Sequence, residues 1–157
     1  MTTVMTEIAD RSTAHFTVVS TEITPDAICE RLGIKCDSAI WKDTPNPSGN
    51  PKTHPLNIAI FRSKSGDSAP MEEHVQNILS RIKPARKNIK SLPKSCVLAL
   101  HFNYRVQASG GWSFAPAVLR ELAELAVPCV FSLKTNVAEA VGPGKQKRAS
   151  RKLVVKQ

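Results

Sequence analysis

Hydrophobic and polar residues alternate in two stretches of the chain, and three more are short runs with strand-forming residues, so the sequence predicts five β-strands. The clearest case is CVLALHFNYRV (96–106). One face of this strand would carry Leu98, Leu100, Phe102, Tyr104 and Val106. The opposite face would carry Val97, Ala99, His101, Asn103 and Arg105. The other predicted strands are HFTVVS (15–20), SAIWKD (38–43), LNIAIFRS (56–63) and CVFSL (129–133).

The first predicted helix has both of its ends written in the sequence. Thr24 is a candidate N-cap, and Pro25 suits the first helical position, because proline lacks the amide hydrogen that is unpaired there. Gly33 is expected to end the helix, since glycine readily adopts the left-handed conformation that follows many helices.

Two longer segments also show the spacing of an amphipathic helix. MEEHVQNILSRI (71–82) has the stronger apolar stripe, and its pattern puts His74 on the polar, solvated side. WSFAPAVLRELAELA (112–126) is the other, with Ser113 as a candidate N-cap and Trp112 as a packing residue. Pro84 and Pro128 are expected to end these two helices.

These elements follow one another in the order β-α-β-β-α-β-α-β. Because one strand face is apolar and the other mostly polar, we predict an α+β fold of two layers. A mainly antiparallel sheet would carry its helices on one face. The single domain would span 14–136, with 1–13 as a flexible N-terminal arm and 44–55 as a proline-rich loop.

Several of these stretches resemble a known family. HFTVVSTEITPDAICERLGI (15–34), the WKD around Trp41, the helix 71–82 and GGWSFAPAVLRELAEL (110–125) are similar, in this order, to a bacterial family known only as domain-of-unknown-function family 4279. The chain lacks that family's second tryptophan and the acidic residue and tyrosine at the end of its last strand. The resemblance implies the same fold and supplies no catalytic residues. By analogy, small bacterial domains of this kind include immunity and inhibitor proteins.

The positive charge is concentrated in two segments. The chain of 157 residues has a net charge of +9, yet the segments 81–94 and 142–157 each carry +6 and no acid, so the remainder carries −3. We expect 137–157 to be a basic disordered tail. As an alternative function, both segments predict contact with nucleic acid phosphates through Arg81, Lys83, Arg86, Lys87, Lys90, Lys145, Lys147, Arg148, Arg151 and Lys152. Phe61 is the only aromatic candidate for base stacking on the sheet.

Signals of catalysis and of metal binding are weak. The sequence has no phosphate-binding glycine loop, no H-E-x-x-H and no G-x-S-x-G motif, so we predict a protein that is not an enzyme and needs no cofactor. The four cysteines form no C-x-x-C pair and suit buried, reduced thiols, and no metal site is predicted. With no signal peptide and no membrane span in the sequence, we expect a cytoplasmic protein.

A protein partner is therefore the predicted target. The polar side of strand 96–106 offers His101, Asn103 and Arg105 as a binding surface, and Trp41, before the proline-rich loop, is a further contact candidate. We expect a small binding domain, immunity-like or inhibitor-like, that restrains a toxin or nuclease.

Overall fold

A computed structural model describes residues 11–45, 53–106, 112–135 and 151–155, without the side chains of 135 and 151–155. Within these ranges the strands are β1 (Arg11–Ser20), β2 (Ser38–Ile40), β3 (Asn57–Arg62), β4 (Cys96–Val106), β5 (Cys129–Thr135) and β6 (Arg151–Val155). The helices are α1 (Pro25–Leu32), α2 (Met71–Ile82), α3 (Arg86–Lys90) and α4 (Pro116–Leu125), with a 3₁₀ turn (Lys83–Ala85) between α2 and α3.

The strands form one sheet in the order β2-β3-β1-β4-β5-β6. All neighbouring pairs are antiparallel except β4 and β5, which are parallel and are connected through α4. β1 and β4 form the longest ladder, with Arg11 opposite Arg105 at one end and Ser20 opposite Cys96 at the other. The predicted mainly antiparallel α+β fold is therefore confirmed.

The helices pack on one face of this sheet and bury a single apolar core. Phe16, Phe61 and Phe102 come from β1, β3 and β4 and are fully buried, together with Ile28 of α1 and Ile78 of α2. The buried side chains of α3 and α4 join the same cluster. No helix in the described ranges is long and apolar enough to cross a membrane.

Local sequence signals explain where α1 begins and ends. The Thr24 hydroxyl accepts a hydrogen bond from the Ala27 amide at 3.4 Å, and Pro25 opens the first turn. Gly33 ends the helix with φ of 70°, a conformation that residues with a side chain rarely adopt. The predicted caps of α1 are thus confirmed.

The start of α4 differs from its prediction. Ser113 does not cap the helix, which begins at Pro116 after an extended Ala115 (φ −60°, ψ 146°). A proline disfavours the helical conformation in the residue before it, so Pro116 moves the helix start past 112–115.

Both predicted ends of the domain also need correction. β1 begins at Arg11, so 11–13 belong to the sheet, because the long β4 offers partners as far as Arg105. In the predicted disordered tail, Arg151–Val155 forms β6 beside β5, where Leu153, Val154 and Val155 supply strand-forming residues. The rest of the predicted arm (1–10), most of the predicted tail (137–150 and 156–157) and the loop residues 46–52 lie outside the described residues.

Candidate binding face

The strand face opposite the helices, which we call the open face, has no helix of the described ranges packed on it, because every one of those helices contributes to the core on the other side. The register of the strands assigns its members. They are Ser38 and Ile40 of β2; Ile58, Ile60 and Arg62 of β3; Arg11, Thr13, His15, Thr17 and Val19 of β1; Val97, Ala99, His101, Asn103 and Arg105 of β4; and Val130, Ser132 and Lys134 of β5.

One end of the open face is apolar, and we call it the apolar half. Antiparallel pairing aligns Ile40, Ile58, Val19 and Val97 in one row across four strands. Ile60 and Ala99 continue the patch in the row of Thr17. Val97 is 66% exposed, whereas its neighbours in the row are partly buried. A sheet face in water is normally polar, so this patch is unusual for a surface.

Two stacked histidines mark the boundary of the apolar half. His15 and His101 lie opposite each other on β1 and β4, with ring centroids 4.7 Å apart and ring planes 9° from parallel. Thr17 Oγ1 and His101 Nε2 are 3.1 Å apart. Burial, reinforced by the nearby His101 and Arg62, lowers the pKa of His15 to about 4. His15 is therefore neutral at physiological pH.

Beyond the histidines, the open face is cationic and forms a groove of about 380 Å³. Asn103 Nδ2 donates to Thr13 Oγ1 at 3.4 Å across β4 and β1. The groove is lined by Arg11, Thr13, Asp67, Asn103, Tyr104, Arg105, Ser132 and Lys134. The predicted surface residues Asn103 and Arg105 both line it, and His101 lies one step further along the same face of β4. Sequence reasoning missed Arg11 and Lys134, which only the strand register brings together.

The two tryptophans lie in different environments. Trp41 follows Ile40 at the apolar end of the sheet and is 42% exposed, so it does not join His101, Asn103 and Arg105. Trp112 packs against Tyr104 and Phe131 at ring distances of 5.3 and 6.0 Å, and this confirms its predicted packing role.

Two cations of the predicted nucleic-acid set are engaged within the fold, on the helix side of the molecule. Arg81 Nη1 donates to Asp37 Oδ2 at 2.6 Å and also to the Arg62 carbonyl. Arg86 pairs with Glu124 of α4 at 2.8 Å. Lys83, Lys87 and Lys90 are exposed, whereas Lys145, Lys147 and Arg148 lie outside the described residues, as do the side chains of Arg151 and Lys152. Phe61, the stacking candidate, is fully buried.

The Asp37 carboxylate collects three donors. Besides Arg81, it accepts hydrogen bonds from the Lys64 ammonium and, at 2.6 Å, from the Arg62 amide. Burial by itself would raise the pKa of Asp37, but the hydrogen bonds from Arg81, Lys64 and Arg62 outweigh it and lower the pKa to about 2. These hydrogen bonds and ion pairs therefore link the start of β2 to β3 and α2.

His74 is not on a solvated helix face as predicted but buried at 2% exposure. Its Nδ1 lies 3.0 Å from Ser63 Oγ, and burial lowers the pKa of His74. The prediction failed because α2 packs against β1 with a wider face than its aliphatic stripe. The cysteines are free thiols, and the pKa of Cys29 is raised to about 11 by burial and by its hydrogen bond with Cys36. Among the residues that the structure describes, no group of three or more histidines, cysteines or acids is arranged to hold a metal ion.

Comparison with known proteins assigns the family. The profile of a family described as a domain of unknown function (DUF4279) matches residues 10–136. The chain therefore belongs to this family, as the resemblance in its sequence indicated. No match was found among curated proteins or among solved structures.

Proposed function

We propose that this protein is a binding domain that uses the open face to hold another protein, with no catalytic step of its own. The observation that carries the proposal is the apolar half, where Val97 and its row lie uncovered by any of the described helices. Interfaces are anchored by central apolar contacts that exclude water, and a rim of polar groups supplies specificity. The open face supplies both kinds of surface within one sheet.

The charge of the open face defines the chemistry of the partner. The polar end of the face carries the cations Arg11, Arg62, Arg105 and Lys134. Among the described residues, Asp67 is the only acid that lines the groove there. The complementary surface is an apolar patch beside a cluster of aspartates or glutamates. Such complementarity accelerates encounter and disfavours partners of the wrong sign. If the partner is a nuclease or toxin restrained in the cytoplasm, the patch by which it contacts the open face is acidic. This patch therefore lies apart from any basic surface with which the partner binds nucleic acid.

A matched pair of substitutions tests the apolar anchor. Val97→Lys removes apolar contact area on the open face without adding a negative charge, and Leu119→Lys makes the same change on α4, where Leu119 is 51% exposed. The full-length protein and both variants are used to capture partners from an extract of the source cells. We then measure binding of a purified candidate to all three, after thermal unfolding has shown that each variant is folded.

We expect the candidate to bind the wild type and Leu119→Lys, to lose at least tenfold in affinity for Val97→Lys, and to bind more weakly as salt increases. Equal binding by both variants would overturn the proposal. A dimer of the wild type that Val97→Lys converts to a monomer would instead assign the face to a second copy of this chain. The alternative function would be supported if the protein binds a polynucleotide, if Val97→Lys leaves this binding unchanged, and if removal of 142–157 abolishes it.

A further inference from the structure

Strand register places two short rows of functional groups side by side in the groove. Arg11 lies opposite Arg105, and Arg105 lies opposite Lys134, so three cations form one row across β1, β4 and β5. Two residues further along the strands, Thr13, Asn103 and Ser132 form a parallel row of neutral hydrogen-bonding groups. All six residues line the groove of about 380 Å³. We call the first set the cation row and the second the polar row.

The cation row is an unfavourable arrangement for an unoccupied sheet. Neighbouring strands are roughly 4.8 Å apart, so three positive side chains start from backbone positions that span about 10 Å. Like charges directly opposite each other on adjacent strands repel. No ion pair within the described residues involves Arg11, Arg105 or Lys134. With Asp67, the described residues that line the groove carry a net charge of +2, from three cations and one acid.

The chemistry of the two rows selects an oxyanion with more than one charged group. Arginine presents a planar fork of donors that matches pairs of phosphate oxygens, and lysine adds a compact charge. The hydroxyl groups of Thr13 and Ser132 and the Asn103 amide add donors along the same line. The volume of the groove falls within the range of sites that take small molecules, roughly 300–1,000 Å³.

We propose that the cation row and the polar row bind a small molecule that carries two linked phosphate groups. A diphosphate is longer than a single phosphate and can therefore contact Arg11, Arg105 and Lys134 along the row at the same time. The ligand would leave the apolar half uncovered, since Val97 lies eight residues from Arg105 along β4. The site shares Arg11, Arg105 and Lys134 with the charged part of the protein-binding proposal, but it does not need the apolar half, so different variants test the two proposals.

The test measures the binding of pyrophosphate to the full-length protein by isothermal titration calorimetry, at low ionic strength and without divalent metal ions. We expect one site that prefers pyrophosphate to inorganic phosphate by at least tenfold. Arg105→Gln should weaken pyrophosphate binding at least tenfold, as should Lys134→Gln. The control Arg120→Gln removes an exposed arginine from α4 and should leave binding unchanged. Val97→Lys should also leave it unchanged, which separates this site from the protein-binding proposal.

Four results would overturn the diphosphate site. The first is the absence of binding at millimolar pyrophosphate in a wild type whose folding has been verified. The second is an equal loss in Arg120→Gln, which would indicate attraction to the overall charge. The third is a tricarboxylate such as citrate binding more tightly than pyrophosphate, which would assign the groove to carboxylates. A ¹⁵N chemical-shift map that places the perturbed amides outside β1, β4 and β5 would be equally decisive against it.

Discussion

The two faces of the sheet differ in how far their apolar residues are buried and in whether their cations are paired. On the helix side, Phe16, Phe61 and Phe102 are fully buried, and the cations Arg81 and Arg86 are paired with Asp37 and Glu124. On the open face, apolar residues line a surface on which no described helix packs, and the cation row has no ion pair within the same part of the chain. Packing and charge pairing thus account for the first face. They do not account for the composition of the second.

The largest expected difference between the faces concerns deletion of an apolar side chain. Phe16→Ala should lower the free energy of unfolding by about 3–5 kcal/mol, because it leaves a cavity among α2, β1 and β3. Val97→Ala removes methyl groups from a side chain that is 66% exposed, so it should change the free energy of unfolding by no more than about 0.5 kcal/mol. Urea unfolding followed by circular dichroism measures both. A large loss in Val97→Ala would show that the apolar half is needed for folding.

The second difference concerns charges. Asp37→Ala leaves Arg81, Lys64 and the Arg62 amide without their acceptor, so we expect a loss of about 1–3 kcal/mol in the free energy of unfolding. Glu30→Ala, which removes an exposed acid from α1, is the matched control and should have an effect within about 0.5 kcal/mol.

The pH dependence of this charge effect has a defined sign. The pKa of Asp37 is about 2 in the folded protein against 3.8 ordinarily, so its contribution is complete above pH 4 and is lost as the pH falls towards 2. The difference between wild type and Asp37→Ala should therefore be constant from pH 5 to pH 7. A difference that grows across that interval would contradict this assignment.

The two faces also show which features of the structure could be predicted from the sequence. Thr24, Pro25 and Gly33 define α1 because a helix end depends on residues adjacent in the chain. Alternation along 96–106 predicted the polar side of β4 with His101, Asn103 and Arg105, since side chains alternate whatever the neighbouring strand is. Three of the four predicted surface residues therefore lie on the open face, and Trp41 does not.

The cation row could not be predicted from the sequence, and the reason is physical. It depends on which residue of β1 and β5 lies opposite Arg105, and register is set by the whole sheet. The buried side of LNIAIFRS (56–63) could not be predicted either, because both of its sides are largely apolar. Alternation cannot tell which side is covered, and the structure buries Ala59 and Phe61 with Asn57, whose Oδ1 accepts from the Lys42 amide at 2.8 Å.

The third expected difference is a loss of stability in mild acid, to which His15 on the open face contributes. The pKa of His15 is about 4 in the folded protein and 6.5 ordinarily, so the unfolded chain takes up the proton first. The contribution to stability is complete above pH 6.5 and is lost as the pH falls towards 4, by at most about 1.4 kcal/mol per pH unit. His15→Gln should flatten this part of the profile. His74, whose pKa is also lowered, acts in the same direction and should maintain the remaining slope.

The smallest effect tests the repulsion within the cation row. Arg105→Gln removes the central charge of three, so in low salt without phosphate the variant should be more stable than the wild type by a few tenths of a kcal/mol, up to about 1 kcal/mol. At 0.5 M sodium chloride the gain should vanish, because salt screens exposed charges within a few ångströms. Arg120→Gln on α4 should show no such dependence on salt. If Arg105→Gln is instead less stable at every salt concentration, the arginine contributes packing through its aliphatic stem, and the row carries no strain for an anion to relieve.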